Sequence, residues 1–396
     1  MAGQFLPGGT ITSPPGFLAG AVWSGISSRP RYNLDLGLLF SEAPCHAVGL
    51  FTQNKFKAAP VLISMERLPS GNARTIVVNS GCANAGTGKD GLSDALKVTE
   101  AVSKNLGILP EEVLVASTGI IGRRLPVDLL VSGLDNLTLS RDRGHELARA
   151  MMTTDTIPKD VAVRASGYTI GGVAKGSGMI HPNLGTMLCF LTTDADIEVN
   201  LAPRALKEAV DCSFNMVTVD GDTSSNDMVI LLANGLSGKK INLSNFEDFR
   251  DNLTKVCTYL ARAIARDGEG ATRLLSVVVM GAASHQQAKL ASKAIASSYL
   301  VKAAIHGGDP NWGRILVALG KSDAIFSIDK LNLSLGGIPV FRKGAPLSFD
   351  PDVLTMALRS SEVMIEIDLG LGDGQAKGWG CDLSEEYVTI NSEYTT

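Results

Sequence analysis

Lys175-Gly-Ser-Gly-Met-Ile-His-Pro-Asn-Leu-Gly-Thr-Met-Leu-Cys-Phe-Leu-Thr-Thr-Asp-Ala195 lies near the middle of a 396-residue chain, and its reading governs the rest. The first half is small, polar and rich in glycine, and Pro182-Asn183 is a turn signal. The second half, Met187 to Leu191, is a short apolar run that reads as a buried strand. At the junction Gly185 has no Cβ, so its carbonyl is open to close approach and its backbone tolerates strain. Thr186 places a hydroxyl on the next residue. A nucleophile, an accessible carbonyl and a strand to fix both are thus neighbours. Local composition by itself describes equally well a glycine-rich loop feeding a core strand.

Lys175-Gly-Ser-Gly-Met-Ile180 with Pro182-Asn-Leu-Gly-Thr-Met-Leu188 resembles the self-cleaving segment of the ornithine acetyltransferases, also called bifunctional glutamate N-acetyltransferases, of arginine biosynthesis. The resemblance runs from Gly16-Phe17 to Asn391-Ser-Glu-Tyr-Thr-Thr396. Blocks this long, in this order, are far more specific than a lone glycine-rich loop. The resemblance implies an α+β protein, a layered α/β/β/α sandwich of the self-cleaving N-terminal-threonine acyltransferase kind, in two lobes. It also implies a cut between Gly185 and Thr186. Residues 1–185 would form an α chain carrying the oxyanion hole and Lys175, and 186–396 a β chain beginning at the nucleophile Thr186.

Composition narrows the partners. Charged residues make up 19% of the chain and the formal net charge is −4, so no basic field argues for nucleic acid or an anionic membrane. Met1 to Gly25 lacks a basic segment followed by a continuous apolar core, and no apolar run approaches the roughly 18 residues of a membrane span. The six cysteines are scattered without a C-x-x-C pair, fitting reduced thiols in a core better than a disulfide framework or a zinc site. These features lead us to expect a cytoplasmic protein with small-molecule substrates.

Towards the N-terminus, His46–Phe51, Pro60–Ile63 and Thr75–Val78 read as short strands separated by turn residues. Asn79-Ser-Gly-Cys-Ala-Asn-Ala-Gly-Thr-Gly-Lys-Asp90 follows. It fails as a phosphate-binding loop, with Asp90 where Ser or Thr is required and Ala83 at the first glycine position. The family has a similar block, usually with Asn where Cys82 stands and Cys where Gly86 stands. A helix is expected from about Ser93 to Leu106. Val113 to Gly122 is an apolar strand opening into Ser117-Thr118-Gly119, an ordinary strand exit or an oxyanion hole, since acyl transfer needs donors fixed where alkoxide charge develops. The resemblance assigns that role to Thr118 and Gly119. By the same resemblance one of Thr153 and Thr154 contacts substrate, Thr153 being favoured, and Lys175 lies in the pocket, where its cation could pair with a substrate carboxylate.

Towards the C-terminus a helix is expected near Pro203–Val210. Thr218-Val-Asp-Gly-Asp-Thr-Ser-Ser-Asn-Asp-Met228 lacks the glycine and terminal Glu of a calcium loop. An aspartyl-phosphate phosphatase would use Asp220-x-Asp222 after an apolar strand, but Ser224 stands where Thr or Val is usual. Asn245–Arg266 is the longest helical signal, with apolar residues at steps of three and four. It runs into Asp267-Gly-Glu-Gly270, where glycines on both sides should leave the Glu269 carboxylate exposed. The resemblance has Glu269 bind the amine end of the substrate. A strand at Leu274–Met280, a helix at His285–Ile305 and an alternating strand at Val363–Leu369 follow. In the family the matching Asn391 and Thr396 fold over the pocket and touch substrate.

The chemistry implied is ping-pong transfer of acetyl from N2-acetyl-L-ornithine to L-glutamate through an acetyl-Thr186 intermediate, the freed Thr186 amine acting as base. No metal or nucleotide cofactor is expected, and acetyl-CoA is a candidate second donor. The resemblance implies an assembly of two α and two β chains. The alternative, an N-terminal-nucleophile amidohydrolase or aminopeptidase of similar sandwich fold, would use water as acceptor.

Overall fold

The structure is a computed structural model in which residues 3–27, 33–181 and 187–393 are described. Gly185 and Thr186, the expected cut, and Thr396, an expected substrate contact, lie outside the described residues, as does the Pro182–Leu184 turn.

The apolar run after Thr186 becomes the strand Leu188–Thr193, central in a six-stranded sheet. The order across that sheet is Gln4–Phe5, Lys159–Ala165, Tyr168–Lys175, Leu188–Thr193, Met228–Ala233, His46–Phe51. Neighbours are antiparallel except for Leu188–Thr193 and Met228–Ala233, which pair in parallel with Leu188 opposite Met228. A strand covered on both faces must be apolar on both, and this one is. Leu188 and Phe190 point into one core, Cys189 and Leu191 into another.

The first of these cores lies between two sheets. Facing Leu188 and Phe190 is a four-stranded sheet ordered Phe17–Val22, Leu36–Ser41, Thr75–Asn79, Val113–Ser117. Its far face is covered by the helices Gly88–Leu106 and Val127–Leu134. Cys189 and Leu191 pack beneath the helices Leu201–Asp211 and Phe246–Arg266. Helix, sheet, sheet, helix is the expected layering. A second lobe holds another six-stranded sheet, running from Ala345–Pro346 at one edge to Gly374–Cys381 at the other, under four helices between His285 and Leu358. In it Glu362–Asp368 alternates as read, burying Val363, Ile365 and Ile367.

Three local expectations are corrected. Pro60–Ile63 is not a strand but part of the helix Ala59–Arg67, whose first turn accepts Pro60 because no intrahelical bond is needed from its nitrogen. His285–Ile305 is two helices, His285–Ala296 and Tyr299–Gly307; Ser298 breaks the run by accepting the Val301 N–H as an N-cap. The helix read from Pro203 begins two residues earlier, at Leu201. No described helix is long and apolar enough to cross a membrane.

Candidate active site

Three strands deliver their ends to one cleft. Thr118 and Gly119 follow the Val113–Ser117 strand, Lys175 closes Tyr168–Lys175, and Ser224 and Asn226 precede Met228–Ala233. Thr153, Thr154, Gly178, Met179, Glu269 and Asn391 complete the lining. Lys175 pairs across the sheet with Leu188, so the first residue of that strand lies beside the cleft lysine.

The turn at Thr118-Gly119 is laced from both sides. Asn79 takes the Thr118 N–H on its carbonyl (3.0 Å), accepts the Ser117 hydroxyl at Oδ1 (2.6 Å) and donates to Cys82 O (2.9 Å). Asn226 donates to Ala83 O (2.7 Å) and Ser117 O (2.8 Å). Gly119 has φ +129°, and a Cβ there would lie 2.4 Å from the Gly81 carbonyl carbon, so no other residue fits without shifting backbone. Cys82 is packed away with its thiol towards Arg123 O, and burial pushes that thiol up from its ordinary value. His181, half-buried, lies against the Thr218 hydroxyl at 3.1 Å.

Lys175 is 4% exposed, unlike an ordinary surface lysine. Its ammonium donates to the Thr153 hydroxyl (2.9 Å) and the Thr118 hydroxyl (3.3 Å), joining the oxyanion turn to the threonine pair. Burial lowers its pKa below the ordinary lysine value, against the pull of Asp155. Thr153, favoured on spacing, is the one that meets Lys175; Thr154 also lines the cleft.

Glu269 is buried rather than exposed. The glycine that clears its way is Gly178, where a Cβ would sit 2.3 Å from the Glu269 carboxyl. Its backbone N–H donates to Ser177 O (3.0 Å), and Asn391 from the terminal helix Glu385–Glu393 donates Nδ2 to Oε2 (2.8 Å). The cleft thus unites Thr118, Gly119, Thr153, Lys175, Glu269 and Asn391.

Sequence reasoning missed the ionic frame beneath. Buried Lys159 donates to Asp155 (2.7 Å) and Asp267 (2.6 Å). Asp155 also accepts the Gly176 N–H (2.7 Å), and Asp267 accepts the Thr156 N–H (2.9 Å) and, through its carbonyl, the Ser177 hydroxyl. Burial would raise the Asp155 carboxyl, but the Lys159 and Lys175 ammonium groups prevail and hold it well below the usual carboxylate range. The sole hint in sequence was position: Asp155 and Asp267 each stand two residues from a substrate-contact candidate. Asp220 receives the Met179 and Ile180 N–H groups on its two oxygens (2.5 and 3.0 Å). Both oxygens are committed to backbone, which removes Asp220 as a phosphatase nucleophile.

A sequence model of the ArgJ family matches residues 18–396. A protein of Dehalococcoides mccartyi called arginine biosynthesis bifunctional protein ArgJ is 52% identical over 99% of both chains. Its namesake in Oceanobacillus iheyensis is 46% identical over 99% of this chain and 98% of its own. Among solved structures, an ornithine acetyltransferase of Mycobacterium tuberculosis complexed with ornithine is 39% identical, with TM-score 0.44 over 46% of this chain and 99% of that one. On the match over nearly its whole length and the identity of these relatives, the chain belongs to the ArgJ family.

Proposed function

We propose that this chain cleaves itself between Gly185 and Thr186 and then carries acetyl from N2-acetyl-L-ornithine to L-glutamate, releasing L-ornithine and N-acetyl-L-glutamate for arginine biosynthesis in the cytoplasm. The Thr186 hydroxyl attacks the Gly185 carbonyl, the backbone shifts from amide to ester, and water releases residues 1–185 from 186–396. The new α-amine, with an ordinary pKa of about 7.7–8.0, takes the proton of its own hydroxyl near neutral pH. That hydroxyl attacks the acetyl carbonyl of the donor. Thr118 and Gly119 stabilise the tetrahedral oxyanion. Lys175, with Thr153, receives the carboxylate end of the substrate, and Glu269, with Asn391 and Thr396, its amine end. Ornithine leaves before glutamate enters, which makes the kinetics ping-pong.

The observation that carries this reading is the meeting of Thr118, Gly119, Thr153, Lys175, Glu269 and Asn391, far apart in sequence, around one cleft at which the Leu188–Thr193 strand begins. The same hydroxyl would take acetyl from acetyl-CoA as a second donor, and the reaction as written calls on no metal or cofactor. Two copies of the cut pair are the proposed assembly.

Intact mass spectrometry of wild type and Thr186→Ala, with an assay on N-acetylornithine plus glutamate, tests the proposal. Two fragments and glutamate-dependent turnover are expected of wild type, and one inactive chain of the variant. An uncut, fully active wild type would overturn it, and acetate release without glutamate would favour the hydrolase.

A further inference from the structure

Asp227 takes no part in the chemistry above, yet its placement is unusual. It is 1% exposed, and both carboxyl oxygens are buried with no hydrogen-bond partner among the described residues. Burying a polar group without a partner costs free energy, so an orphan carboxyl gives the uncut fold nothing. Its position is fixed by strand register. Met228 pairs with Leu188, and the Met228 N–H donates to Met187 O (3.2 Å), which sets Asp227 beside Met187. The Met187 N–H and the hydroxyls of Ser224 and Thr52 face the carboxyl without reaching hydrogen-bond geometry, and the one charged group facing it among these neighbours is Lys175. Burial drives the carboxyl well above the ordinary carboxylate range despite them, which favours its protonated form in the uncut chain.

Cleavage changes what stands next to it. The reaction proposed above frees the amine of Thr186, and covalent geometry keeps that nitrogen within one residue, about 3.5 Å, of the Met187 nitrogen. A buried acid and a newly made base are then both neighbours of Met187, one through the sheet and one through the chain. We propose, on the basis of that reading, that Asp227 is a positioning residue whose carboxylate is the counter-charge to the amine released ahead of Met187. The active form has both groups deprotonated. As the Thr186 oxygen bonds to the acetyl carbon, its proton passes to the amine, and the ammonium forms against the carboxylate rather than alone in a buried site. When the acetyl carbon–nitrogen bond breaks, that proton leaves on the ornithine amine. Glutamate's amine then attacks the ester, its proton passes to the Thr186 amine, and the carbon–oxygen bond breaks as that proton returns to the oxygen. The buried acid and the amine titrate as a pair.

The test is Asp227→Asn, nearly isosteric, beside wild type. Intact mass reports cutting, the pH profile of kcat/KM reports the pair, and the rate of amine-selective labelling of the new N-terminus against pH reports the amine independently of turnover. Since an opposite charge favours the ammonium, its removal should move the acidic limb and the labelling midpoint to lower pH by about one unit. The kcat should fall at least tenfold with KM little changed. Asp227→Glu should restore part of the shift. A cut variant with wild-type kcat and an unmoved labelling midpoint overturns the proposal, as does a variant that stays uncut, because the carboxyl then acts before the amine exists. If wild type itself is never cut, the function proposed above fails instead.

Discussion

Lys159 shows how a single side chain can hold a site it never touches. Its ammonium is fully buried between Asp155 and Asp267, and these two residues hold Gly176, Ser177 and Thr156, the stretches that follow Lys175 and Thr153. The Asp155 carboxyl is depressed below its ordinary value of about 3.9, so its contribution to stability is present above that pH and lost as pH falls through the folded value. Lys159 is raised, so its contribution holds below about pH 10.4 and is lost only above its folded value. Replacing Lys159 by Met leaves two buried carboxylates unpaired and should cost about 3–5 kcal/mol at pH 7. The gap to wild type should narrow at low pH, because the paired Asp155 carboxylate loses its stabilising contribution as pH falls below its ordinary value of about 3.9. Thermal melting at pH 7 and pH 3.5 checks both points; a variant as stable as wild type at pH 7 would remove the frame from the account. Gly119 and Gly178 make the complementary point: each is required by what a Cβ would strike, Gly81 in one case and the Glu269 carboxyl in the other.

At the scale of elements, the terminal helix Glu385–Glu393 buries none of its residues, yet it brings Asn391 to Glu269. It contributes to the site and little to the core. Truncation after Ser384, which keeps the Ser384 hydroxyl on Gly270 O (2.6 Å), should leave the melting temperature nearly unchanged and raise KM for N-acetylornithine about tenfold, the worth of a hydrogen bond to a charged group. A drop in melting temperature with KM unchanged would reverse that assignment. Elements were legible where periodicity was long: Phe246–Arg266 and Glu362–Asp368 were read almost to the residue. Pro60–Ile63 was misread because four apolar residues fit a strand and a helix equally well, and covering by tertiary neighbours settles which forms.

For the whole molecule, the proposed cut passes through a sheet built from both products. Gln4–Phe5, Lys159–Ala165, Tyr168–Lys175 and His46–Phe51 come from residues 1–185, and they flank Leu188–Thr193 and Met228–Ala233 from 186–396. Hydrogen-bond ladders therefore join the two pieces on both sides of the central pair. The cut protein should elute as one particle in gel filtration and separate only in denaturant. Fragments that part in native buffer would contradict this interleaving.

The sequence by itself determined, through its likeness to the family, the layering and the names of the residues that meet in the cleft. A doubly apolar strand after a glycine-rich turn requires cover on both faces, and Thr118, Gly119, Thr153, Lys175, Glu269 and Asn391 stand in local patterns that carry the family's likeness. Tertiary structure alone decided that Glu269 is buried, that Lys159 bridges two acids far apart in the chain, and that Asp227 lies orphaned beside Met187. Burial and pairing between distant residues arise only when strands come into register, and no local pattern records them.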